Sequence, residues 1–136
     1  MNRHPLLRAY LAGICVPTIF LLVVATLFTL IRYVYHVSVP IERVIVFPMA
    51  GVPNLWGMWN LFHFVYFRQR VSLGIFGALL PLLLAPLGYG ITRLLDFSIP
   101  HHVLAMAPAA LPVGMILYYL VWKYLVSSLN AELGIA

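Results

Sequence analysis

Four long apolar runs, each closed at both ends by a basic residue or a histidine, organise the chain. Residues 9–31 lie between Arg8 and Arg32, 44–67 between Arg43 and Arg68, 71–92 between Arg70 and Arg93, and 103–122 between His102 and Lys123. A helix needs roughly 20 residues to cross ~30 Å of hydrocarbon, so each run predicts one transmembrane helix. None of the runs contains Asp, Glu, Lys or Arg. The first differs from a secretory signal, whose apolar core is about 7–15 residues and ends in small residues, because it ends in Leu30, Ile31 and Arg32. It should stay as an anchor.

The connections are short. Arg68-Gln69-Arg70 joins the second and third runs almost without slack, which makes them antiparallel neighbours. The other two links, 33–40 and 94–100, end in Pro40 and Pro100, each placed to open the next helix. The expected fold is therefore an all-α integral membrane protein: four transmembrane helices in an antiparallel up-down bundle, one domain over residues 1–136, with a short C-terminal tail at 127–136. Prolines at 17, 48, 53, 81, 86, 108 and 112 predict kinks, since each removes a helical hydrogen bond and crowds the preceding turn.

Composition and charge sharpen this picture. The chain is 64% hydrophobic and 8% charged, with a mean hydropathy of +1.03, outside the range of soluble domains. Its net charge of +5 sits at the ends of the runs rather than in a patch that could follow a phosphate backbone, so nucleic acid is not an expected partner. With an even number of spans, Arg3, Arg8, Arg68, Arg70 and Lys123 share one side, against Arg32, Arg43 and Arg93 on the other. The positive-inside rule then puts both termini in the cytoplasm, in a bacterial-type inner or plasma membrane. Tyr33 and Tyr35 at one interface, and Tyr66, Phe67, Tyr118, Tyr119, Trp122 and Tyr124 at the other, form the aromatic belts of such a protein. The single Cys15 excludes an intrachain disulfide.

Two stripes suggest how the helices pack. In the third run Gly74, Ala78, Pro81, Ala85, Gly88 and Thr92 alternate at spacings of four and three, a small-residue seam of the kind that lets backbones approach in lipid. Trp56 and Trp59 of the second run are the expected fillers opposite it. In the first run Cys15, Thr18, Leu22, Ala25, Thr29 and Arg32 form a second stripe expected to face protein, with the threonine hydroxyls returned to their own helix.

The candidate chemistry is sparse and lies mostly in the stretch PNLWGMWNLFHF, residues 53–64. Asn54 follows Pro53, whose missing N–H leaves the carbonyl of Met49 without its donor; the amide is expected to repair that turn or to bond another helix. The alternative is a substrate contact at the broken turn. Trp56, Asn60, His63 and Phe67 share one face, and Asn54 points to roughly the opposite side at ~100° per residue. Asn60 and His63, three apart, are expected to bond each other or a common partner. A second group, His36, His101 and His102 with Glu42 and Asp96 in the same loops, has the donor types for a metal or haem but lacks ligand spacing. No cofactor is favoured.

No nucleophile–base pair, carboxylate pair or glycine-rich phosphate loop occurs, so an enzyme is not expected. The expectation is a non-catalytic accessory or assembly subunit whose partners are the lipid bilayer and other membrane subunits or itself. Two alternatives stand beside it: a small transporter or channel component using the proline-broken second and fourth helices, and a haem- or metal-binding subunit using the histidines.

Overall fold

The computed structural model describes residues 3–37, 50–96 and 98–135. Pro40, Glu42, Arg43, Pro48 and Met49, with the start of the second run, lie outside the described residues. The protein is all-helical, with 83% of residues in helix and no strand among those described. Helix α1 spans Pro5–Tyr33; α2 spans Ala50–Phe62 and ends in a π-helical turn, His63–Phe67. Helices α3 (Leu73–Ala78) and α4 (Leu80–Leu94) follow, then α5 (His101–Val121), a second π-helical turn (Trp122–Val126) and α6 (Ser127–Glu132). Among the described residues three helical stretches are long and apolar enough to cross a membrane: Pro5–Tyr33, Leu73–Leu94 and His101–Glu132.

The chain divides into two compact units, residues 1–66 with 129–136, and residues 67–128. In the first, α1 crosses α2 at two glycines. A Cβ placed on Gly13 would lie 2.7 Å from the Gly57 Cα and 2.6 Å from the Trp56 carbonyl; one on Gly57 would lie 2.6 Å from the Tyr10 ring and from Ile14. Only hydrogen fits at these two positions, so the backbones touch. The buried residues of α1 are Ala9, Ala12, Gly13, Pro17 and Leu21. This corrects the expectation of a Cys15–Arg32 stripe: Leu22 is 54% exposed, and the side that faces protein is the ridge Ala9, Gly13, Pro17, Leu21 at intervals of four. Polarity is the weaker criterion here because the hydroxyls of Thr26 and Thr29 bond the carbonyls of Leu22 and Ala25, each at 2.8 Å, and need no neighbour.

In the second unit α3 and α4 are separated by one residue, Leu79, two positions before Pro81, whereas Pro17, Pro53, Pro86, Pro108 and Pro112 lie inside helices that continue through them. The start of the small-residue seam is packed. Gly74 lies under Tyr119, whose ring would be 3.0 Å from an added Cβ, and an added Cβ at Gly77 would fall inside Trp122, which is fully buried. Trp122 is thus the filler within this unit, while Trp56 is buried in the first unit beside the α1–α2 crossing and Trp59 is half-buried. Further along the seam Ala78 is half-buried, Pro81 buried, Ala85 exposed, and Gly88 and Thr92 half-buried. Helix α5 has no buried residue along its 21 positions.

Candidate functional site: a buried asparagine pair and a C-terminal hook

The face of α2 that carries Trp56, Asn60 and His63 is buried at all three positions. Asn60, 1% exposed, donates one amide hydrogen to the Ala9 carbonyl at 2.6 Å and the other to Asn130 Oδ1 at 2.8 Å. Asn130 donates back to Asn60 Oδ1 at 3.2 Å. Both protons and the carbonyl of Asn60 are therefore committed, which is what an amide buried among apolar helices requires. His63 is buried in the π turn beside this pair in sequence; its position three residues on did not make it the partner of Asn60, whose side chain reaches the far end of the chain instead.

That far end is built for the encounter. The segment from 127, expected as a tail, is helical over Ser127–Glu132 and closes with two reversed hydrogen bonds, Gly134 N–H to the Ala131 carbonyl at 3.0 Å and Ile135 N–H to the Asn130 carbonyl at 2.9 Å. Gly134 sits at φ 72°, the left-handed conformation this helix ending needs and glycine adopts at no steric cost. The reversal drives Ile135, 5% exposed, against Ala9 and Ala12, with Leu61, Phe64, Leu129 and Leu133 around them. Arg8 donates Nη1–H to the Leu133 carbonyl at 3.1 Å, placing a cation on the carbonyl end of the helix. Sequence reasoning missed Asn130, Arg8 and the Gly13–Gly57 crossing. The available signal was Gly134, four residues after Asn130 and followed by an isoleucine, the pattern of a capped helix end rather than a tail.

Asn54 bonds another helix: the Tyr10 hydroxyl of α1 donates to its Oδ1. The alternative partner, the Met49 carbonyl, lies outside the described residues. On α2 Asn54 and Asn60 lie three residues before and three after Gly57, and both bond the turn of α1 that precedes Gly13, so the polar side chains of α2 tie down the contact that its glycine permits. The outer histidines sit elsewhere. His36 is exposed at φ 55° beyond α1, and His101 and His102 are exposed in the first turn of α5. Among the described residues no group of three or more His, Cys, Asp or Glu is arranged to hold a metal ion, and Glu42 of the expected group lies outside them.

No family profile, curated protein sequence or solved structure matches this chain significantly.

Proposed function

We propose that this is a non-catalytic integral membrane protein that acts by association, as an accessory or assembly subunit of a larger membrane complex or as a homo-oligomer. The observation that carries this reading is the division among its glycines. Gly13, Gly57, Gly74 and Gly77 lie at close contacts inside the two units, whereas added Cβ atoms at Gly90 and Gly114 would meet nothing within 4 Å. In lipid, apolar burial does not drive helices together, and small residues mark the faces where backbones meet. Ala107, Ala110 and Gly114 share one side of α5, a helix with no buried residue. That open face has the same composition as the closed ones.

The polar side chains support the same reading, because Asn54 and Asn60, which lie inside an apolar run, make hydrogen bonds that join helices. In this proposal the second run completes a fourth crossing, the interior prolines bend the spans, and both termini lie in the cytoplasm of a bacterial-type inner membrane, in keeping with five basic residues against three.

Native mass spectrometry of gently solubilised protein tests the proposal. A stoichiometric oligomer or a defined partner is expected, and Gly114→Leu should shift the chain toward monomer without changing its thermal unfolding. A lone monomer that carries solute flux in liposomes would refute it.

A further inference from the structure

We propose that a cleft where α3 begins and the last span ends binds the phosphate of an anionic phospholipid headgroup. The cleft, about 170 Å³, is lined by Ser72, Leu73, Gly74, Tyr119, Lys123 and Ser127. Among the described residues Lys123 is the one charged member of this lining, and its Nζ lies 5.5 Å and 5.4 Å from the ring centroids of Tyr119 and Tyr124. Two aromatic rings near one ammonium restrict its long side chain and hold the charge at the mouth of the cleft. Gly74 forms the floor: an added Cβ would come within 3.0 Å of Tyr119 and 3.1 Å of Lys123, so any side chain there would displace the two residues that shape the space.

The hydroxyls are an independent observation. Thr26, Thr29 and Thr92 all bond a carbonyl three or four residues earlier in their own helices. Ser127, half-buried and just past the π turn Trp122–Val126, makes no such bond, and Ser72, exposed at the N-cap of α3, makes no side-chain capping bond. Among the described residues neither hydroxyl has a hydrogen-bond partner. One cation and two uncommitted hydroxyl donors around a small cleft suit a tetrahedral oxyanion. The π turn accounts for the placement, since its wider step alters the angle between Tyr119 and Ser127, and such turns recur at functional sites.

Position selects a lipid. Lys123 and Arg70 end the apolar runs 103–122 and 71–92, so the cleft lies where two spans leave the hydrocarbon, at headgroup level. The loop leading to Ser72 carries Arg68 and Arg70, both exposed. A zwitterionic choline headgroup would bring its own cation beside Lys123 with no carboxylate among the described lining residues to meet it, so an anionic headgroup such as phosphatidylglycerol is selected.

The experiment is native mass spectrometry of the full chain released from nanodiscs of mixed phosphatidylglycerol and phosphatidylcholine. Preferential retention of one phosphatidylglycerol per chain is expected, reduced about tenfold by Lys123→Gln, kept by Lys123→Arg, and reduced to a lesser degree by Ser127→Ala. Equal retention of the two lipids, or retention unchanged in both Lys123→Gln and Ser127→Ala, would overturn the proposal. Displacement of the lipid by soluble glycerol phosphate at comparable concentration would overturn the lipid assignment in favour of a free phosphate. If Lys123→Gln fails to fold, Ser127→Ala alone decides, and full retention in it refutes the site.

Discussion

Replacing Asn60 by leucine tests whether the asparagine pair holds the C-terminal hook to the helix crossing. The substitution removes three hydrogen bonds, at 2.6, 2.8 and 3.2 Å, from a position 1% exposed. At the ~0.6 kcal/mol average for interhelical bonds in membranes, the three together amount to ~2 kcal/mol. The Asn130 amide, 9% exposed, would lose its Asn60 partner on both its carbonyl and its N–H, and an orphaned buried polar group costs ~1–3 kcal/mol. The expected loss is therefore ~3–5 kcal/mol. Asn130→Leu should cost less, because Asn60 keeps its bond to the Ala9 carbonyl. The informative variant carries both changes. Two leucines leave no orphaned amide, so the double variant should be more stable than the sum of the single penalties predicts, with a coupling of at least ~1 kcal/mol. Reversible unfolding in mixed micelles, followed by circular dichroism, measures all four proteins. Additive penalties, or single variants within ~0.5 kcal/mol of the parent, would refute the reasoning and reduce the pair to a by-product of packing.

Gly77→Ala should destabilise by ~1–3 kcal/mol through overpacking against Trp122, whereas Gly90→Ala, with open space around its Cβ, should be neutral or slightly stabilising in the same unfolding assay. Tyr10→Phe and Asn54→Leu should each lower thermal stability, and together by less than the sum of the two losses, since both delete the bond between them; strictly additive losses would sever that pairing. Arg8→Gln should speed carboxypeptidase digestion from the C-terminus while leaving total helicity unchanged, because it removes the tie to the Leu133 carbonyl; unchanged digestion would show that this bond does not hold the hook. Cysteines introduced at Arg3 and Gln69 should react with an impermeant reagent from the cytoplasmic side and one at Ser98 from the other, and a reversed pattern would invert the proposed orientation.

Helix content and membrane character were legible in the sequence because both depend on local quantities: run length, the absence of charge, and the placement of basic residues at run ends. Proline positions were a weaker guide: Pro17, Pro53, Pro86, Pro108 and Pro112 lie inside helices that continue through them, and among the described interior prolines only Pro81 stands beside a helix boundary. What only the tertiary structure decided was which residues meet. The stripe of α1 that faces protein carries Ala9, Gly13 and Pro17 rather than its polar residues, because in lipid the determining property is how closely two backbones can approach. That property belongs to a pair of surfaces, and Gly57 supplies the other half. Asn60 likewise satisfied its amide on a residue 70 positions away. A buried amide dictates that partners exist, but hydrogen-bonding demand carries no address, and the address came from a glycine-capped helix end that returns Asn130 and Ile135 to the first helix.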